Sequence, residues 1–193
     1  MKPKIGIIGH GHVGSALERG LRRAGYDVRA AGNDADTVRQ TATAANVVII
    51  AVPFAAIDDT LRELGAAIDG KIVVDVTNAL TPDFQLAVGY STSGAEELQK
   101  KAPNARIAKA FNTVFAANMD TGQVKGERLS AFVAADDDDA KKTVLEMARA
   151  IGFDAVDAGP LRNARLLEPL GYFNIQLGMK LGMGSNIGFE LVH

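Results

Sequence analysis

Residues 5–14 read Ile5-Gly-Ile-Ile-Gly-His-Gly-His-Val-Gly14. A short apolar run ends in Gly9-x-Gly11-x-x-Gly14, and an amphipathic helical pattern follows over residues 13–24. The order predicts strand, glycine turn, helix. Gly9 permits the tight turn out of the strand, Gly11 lets the backbone approach a pyrophosphate, and Gly14 lets the helix pack against the strand. The helix N-terminus then presents unpaired N–H groups and the positive end of its dipole to phosphate. A glycine triplet alone is a weak signal. Set between a buried-strand run and an amphipathic helix, it predicts a dinucleotide site rather than an ordinary turn. Gly9, His10, Gly11, His12, Val13 and Gly14 are the expected contacts.

The rest of the chain repeats the alternation. Strands are expected over residues 27–31, 46–52, 71–76, 106–110, 129–134 and 154–158, and helices over 36–45, 54–65, 93–101, 141–151 and 163–181. The run Asn46-Val-Val-Ile-Ile-Ala-Val52 is almost wholly apolar, as suits a parallel strand covered on both faces. Residues 79–92 read as a loop, and Gly171 and Gly178 weaken the last helix. This pattern predicts an α/β, doubly wound parallel sheet of the Rossmann type with a small C-terminal helical element. The break at Gly159-Pro160 divides a dinucleotide-binding domain, residues 1–160, from that element, residues 161–193.

Bulk composition narrows the function. A net charge of −2 without a basic cluster argues against nucleic acid. The absence of cysteine removes disulfides, thiolate chemistry and cysteine metal sites. The apolar stretch 169–192 is broken by Asn174, Gln176, Lys180, Asn186 and Glu190, whereas a spanning helix needs about 20 mainly apolar residues. No signal peptide is read at the N-terminus. The expectation is a cytoplasmic protein with no membrane partner.

Four apolar strands end in chemically distinctive residues: the glycine loop, Val52-Pro53-Phe54, Thr77-Asn78, and Phe111-Asn112-Thr113. In a parallel sheet these share the carboxyl edge, where ligands bind. Val52, Pro53 and Phe54 suit an apolar wall along a dinucleotide, although Pro53 equally suits a helix start. Asn78 and Asn112 suit a carboxamide or substrate carbonyl, or else simple turn chemistry. His10 and His12 lack a third ligand nearby, so no metal is expected. Asp136 to Asp139 read as solvated acids at a helix N-terminus. Lys109 reads as a strand-end lysine reaching solvent, in preference to a catalytic base. No nucleophile-and-base set is present, so the chain binds and orients while the cofactor carries the chemistry.

An NAD site usually carries an acid about 20 residues after the glycines, at the end of the second strand. Here that place is Ala31-Gly32-Asn33, which favours NADP, with Asn33 and Arg39 as candidate 2′-phosphate partners and Arg29 a weaker one. Asp34 is close enough to keep NAD open.

These residues resemble a known family. The glycine loop, "AVPF", "VVDVTNAL", "KAFNTV", "DAGPLRNARLLEPL" and "GMKLGMGSNIGFEL" are similar to the NADP oxidoreductases that use the deazaflavin coenzyme F420, and to the related cytosolic part of the STEAP metalloreductases. The resemblance implies hydride transfer between NADPH and a deazaflavin or flavin in a homodimer. It implies that Asn112 and Thr113 lie near nicotinamide and acceptor, and that Leu181 and Met183 lie near the acceptor or the dimer contact. Gly32-Asn33 departs from the Ser-Arg common in that family. The alternatives are a small-substrate NAD(P) dehydrogenase, and a dinucleotide-binding sensor or regulatory module without turnover.

Overall fold

The apolar run after Lys4 forms the second strand of a seven-stranded sheet, and everything that matters for the site hangs from its carboxyl edge. The computed structural model describes residues 2–192. In chain order the elements are β1 (Ile5–Ile8), α1 (His12–Arg23), β2 (Val28–Ala31), α2 (Ala35–Ala44), β3 (Val47–Ile50), α3 (Ile57–Leu64), β4 (Ile72–Asp75), α4 (Gly94–Lys101) and β5 (Arg106–Lys109). There follow α5 (Ala116–Met119), β6 (Gln123–Val124), β7 (Glu127–Arg128), β8 (Ser130–Ala135), α6 (Asp138–Ile151), β9 (Asp154–Asp157) and α7 (Ala164–Ile175), which runs on into a π-helical turn, Gln176–Lys180.

The sheet order is β2-β1-β3-β4-β5-β8-β9. From β1 the chain crosses to one side for β2, then to the other for β3. The reversal leaves a crevice between the carboxyl ends of β1 and β3, where doubly wound folds place their ligands. Strands β1 to β5 pair in parallel, with Ile5 opposite Val47 and Ile8 opposite Ile50. The doubly wound α/β reading therefore holds.

One joint departs from a wholly parallel sheet: β8 meets β5 antiparallel, with Lys109 opposite Ala134. A parallel return needs a crossover of a dozen or more residues, usually built on a helix. The stretch between β5 and β8 is long enough but holds only the four-residue α5 and the tiny β6–β7 hairpin, so no crossover helix carries the chain back and β8 enters antiparallel.

Both faces are covered, which explains why β1, β3 and β4 are buried at every position. Ile5, Ile7, Ile49 and Val74 face Leu17 and Leu21 of α1 and Val144 and Met147 of α6. Ile8, Val48, Ile50 and Val73 face Val38 of α2, Ile57 of α3 and Leu98 of α4. Each such side chain contributes about 1.5–3 kcal/mol on burial. The acid run is a capping device: Asp137 accepts from Ala140 N–H at 2.7 Å and so starts α6 at Asp138, while Asp136 accepts from Leu161 N–H at 2.9 Å. Among the described residues no helix is long and apolar enough to cross a membrane.

Candidate functional site

The three glycines divide the work unequally. Gly9 has a φ of +102°, and a Cβ there would lie 2.3 Å from the Ala51 carbonyl oxygen of the neighbouring strand's exit. A Cβ on Gly14 would lie 1.9 Å from the Gly9 carbonyl oxygen. These two glycines are required by the protein's own packing. Around Gly11 a Cβ would meet nothing within 4 Å. Gly11 is the N-cap of α1 and offers no side-chain cap. A twelve-residue helix thus begins with uncapped N–H groups beside open space, which fits a pyrophosphate.

His10 is tied to the first helix. Its Nε2 donates to Glu18 at 2.9 Å, and Arg22 meets the other Glu18 oxygen. Burial opposes the Glu18 carboxylate, but hydrogen bonds from His10 and Arg22 outweigh it and hold the pKa below the ordinary glutamate value.

Beside the loop lies a cavity of about 660 Å³. Its lining draws His12 and Val13 from the start of α1, Asn78 from beyond β4, and Asn112 to Ala116 from beyond β5. The opposite wall is Gly171, Asn174, Ile175 and Gln176, with Met179 and Lys180 from the π-helical turn. Sequence reading thus found the strand-end half of this wall. It expected the C-terminal element to complete the site but placed Leu181 and Met183 there, and did not name the residues of α7 and its π-helical turn that form this wall.

The turn out of β5 is under strain. Phe111 adopts φ of +63°, a region costly for an aromatic residue. It is held there by burial, at 1% exposure, and by packing on Phe153 at 5.7 Å between ring centroids. The turn delivers Asn112 to Asn78. Asn78 Nδ2 donates to the Asn112 carbonyl at 2.9 Å, and Asn112 Nδ2 donates back to Asn78 Oδ1 at 3.0 Å and to the Leu167 carbonyl at 2.7 Å. Asn174 Nδ2 donates to the Thr113 carbonyl at 3.0 Å. Gly171 lets α7 settle onto this pair: a Cβ there would lie 2.6 Å from both the Asn112 carbonyl oxygen and Asn78 Oδ1.

Lys109 corrects the sequence reading. It reaches no solvent: its side chain is fully buried, with Nζ 2.9 Å from Asp75 Oδ2, 2.9 Å from Glu168 Oε1 and 2.5 Å from the Thr77 carbonyl. Burial alone would depress the ammonium's pKa, but the Asp75 and Glu168 carboxylates more than compensate and raise it above the ordinary lysine value. Glu168 also accepts from Gly94 and Ala95 N–H at the start of α4. The lysine is a clamp between sheet and C-terminal helix, and three permanent acceptors leave it poorly suited to act as a base.

The remaining candidates are scattered. Phe54 lies on a separate hollow with Ile57, Gly94 and Leu98, and Val52 packs near Gly9. Pro53 caps the 3-10 turn Phe54–Ala56. Asn33 is exposed beyond β2, and Arg39 points its Nε at the Glu63 carbonyl, 3.2 Å away. Asp34 is the N-cap of α2, its Oδ1 accepting from Thr37 N–H at 2.8 Å. A groove by β2 is lined by His10, Glu18, Arg22, Arg29 and Thr37. Arg165 pairs with Glu96 at 2.7 Å, locking α7 to α4. Leu181 and Met183 are 69% and 61% exposed and stand outside the cavity lining.

Residues 4–79 match the family model described as NADP oxidoreductase, coenzyme F420-dependent. The chain is 34% identical over 154 residues to the F420-dependent NADP reductase of Methanothermobacter marburgensis, covering 75% of this chain and 67% of that one. It is 33% identical over 180 residues to the metalloreductase STEAP3 of Rattus norvegicus, covering 87% of this chain but spanning only 36% of that longer protein. A crystal structure from Arthrobacter sp. FB24, provisionally identified as an F420-dependent NADP reductase, superposes with a TM-score of 0.90 at 27% identity over 99% of this chain and all of that one.

Proposed function

The chain belongs to the family of coenzyme F420-dependent NADP oxidoreductases, and on that premise we propose that it transfers hydride between NADP(H) and a deazaflavin or flavin acceptor. The observation that carries the reading is the continuity of the uncapped α1 N-terminus with the cavity: His12 and Val13 belong to both. A dinucleotide held by its pyrophosphate at Gly11 to Val13 extends its reactive end into the cavity that Asn112 lines.

When bound, the dinucleotide supplies the hydride itself, so no side chain need act as nucleophile. The chain's part is to hold both rings together and keep water out. Val13, Val114, Phe115 and Ile175 give the cavity its apolar wall. Asn112 orients, with Thr113 beside it. The segment from Leu161 onward completes the acceptor side, with Leu161 and Ala164 packed into the core of the dinucleotide domain. For the 2′-phosphate, Arg29 lines the groove beside His10, where Arg22 is already paired with Glu18, while Arg39 turns its Nε to the Glu63 carbonyl.

We further propose a cytoplasmic homodimer. Leu166, Phe173, Met179, Leu181 and Met183 leave a large apolar surface exposed on the C-terminal element, and a second copy of the chain covers it. Sedimentation should give twice the 20.3 kDa chain mass; a monomer at high concentration rejects the dimer.

The enzymatic reading is tested by mixing the protein with NADPH and F420 and following the deazaflavin absorbance. Reduction is expected. No change with F420, FMN or FAD rejects the reading, and tight NADPH binding without any turnover moves it to a sensor.

A further inference from the structure

Asn112 is held so that its side chain can only accept. Both N–H groups of Nδ2 are spent, on Asn78 Oδ1 at 3.0 Å and on the Leu167 carbonyl at 2.7 Å. A backbone carbonyl cannot donate, so turning the Asn112 amide over would set its oxygen against that of Leu167. Asn78 is fixed as well, because it spends Nδ2 on the Asn112 carbonyl. What is left is Asn112 Oδ1. It is buried and has no hydrogen-bond partner among the described residues, in a residue that lines the cavity and is 4% exposed. The same lining holds a second such atom, the buried donor Gln176 Nε2, at the start of the π-helical turn. Turns of that kind are frequent at functional sites. A buried acceptor without a donor is costly, and a ligand that brings an N–H removes the cost.

We infer that Asn112 determines ligand specificity by accepting a hydrogen bond from an amide or imide N–H of the ligand. The inference rests on the hydride-transfer reading. Two ligands of that reaction carry such an edge: the carboxamide of the nicotinamide, and the pyrimidinedione ring of a deazaflavin or flavin. A ketone or an N-alkylated ring does not satisfy Asn112, because neither offers the N–H.

The test uses the wild-type protein and two ligand pairs, each followed by fluorescence or calorimetric titration. One pair is NADP and its 3-acetylpyridine analogue, in which a methyl group replaces the carboxamide NH₂. The other is FMN and FMN methylated at the imide nitrogen. In one pair the parent compound should bind at least about tenfold more tightly, because its analogue leaves the acceptor unpaired. The pair that discriminates identifies which ligand Asn112 reads. In the Asn112→Ala variant that gap should close; if the variant does not fold, the wild-type pairs decide alone. Binding within about twofold in both pairs overturns the inference while leaving the hydride-transfer reading intact. A clear gap without turnover rejects the functional reading alone. No binding by either parent compound rejects both.

Discussion

The Lys109 ammonium and the Glu168 carboxylate meet at 2.9 Å with side-chain exposures of 0% and 1%. One residue closes β5 and the other lies in the middle of α7, so a single ion pair fastens the C-terminal helix to the sheet. Asp75 completes a buried set with two acids and one base. The excess negative charge is met by Gly94 and Ala95 N–H at the positive end of α4. Replacing Lys109 by methionine strands both carboxylates in the interior. The variant should lose about 3–5 kcal/mol of stability in urea titrations, a large share of the total for a domain this size. Glu168→Gln should cost less, since its remaining oxygen can still accept from Lys109 and Ala95 N–H, and only Gly94 N–H loses its acceptor. A Lys109→Met protein as stable as wild type would contradict the clamp.

The same clamp gives the protein an alkaline limit. Lys109 has its folded-state pKa raised, after its two carboxylate partners have overcome the opposing effect of burial. The stability it confers is therefore complete below the ordinary lysine value of 10.5 and is lost as pH rises from there through the higher folded value. Melting temperature measured between about pH 9 and 12 should fall more steeply in wild type than in Lys109→Met. Parallel curves would show that the pair carries no pH-linked stability.

Gly11 and Gly14 should separate binding from folding. Gly14→Ala places a Cβ 1.9 Å from a backbone oxygen, so the helix must leave the strand and the protein should unfold or lose several kcal/mol, about what overpacking costs at its worst. Gly11→Ala meets open space at a φ of −79°, so its cost should stay near 1 kcal/mol, that of an alanine N-cap. Its NADP affinity should nevertheless fall by about tenfold or more, because the methyl group occupies the place of the pyrophosphate. Gly11→Ala binding NADP like wild type would remove the dinucleotide from this loop.

The contrast between these glycines shows what sequence could tell. Local order was legible: apolar runs, caps and glycine turns set nearly every strand and helix, because each depends on neighbours in the chain. The antiparallel joint at β8 was not, since it depends on whether the connection after β5 folds into a crossover helix. Lys109 was misread for a related reason. A lysine at a strand end normally finds water, and its burial depends on Asp75 and on Glu168, 59 positions later, neither of which marks itself as a partner in the sequence. Asn112 was found because strand ends at a parallel sheet's carboxyl edge share one place. Its acceptor-only state depends on the Leu167 carbonyl, which no side-chain pattern reports.

Gly171 puts that long-range dependence to the test. It sits inside α7, where alanine would ordinarily be the better helix former by about 1 kcal/mol. Here a Cβ would lie 2.6 Å from the Asn112 carbonyl oxygen, 2.6 Å from Asn78 Oδ1 and 2.9 Å from Asn112 Nδ2. The helix must then back away from the asparagine pair, stretching the bond from Asn112 to Leu167 and pulling on Glu168 beside it. Gly171→Ala should lose about 1–3 kcal/mol despite its gain in helix propensity. Its cavity should also open, so that hydride transfer from NADPH slows more than NADP binding weakens, since the glycine loop is untouched. Full activity with raised stability in Gly171→Ala would mean that α7 does not need to lie this close to Asn112.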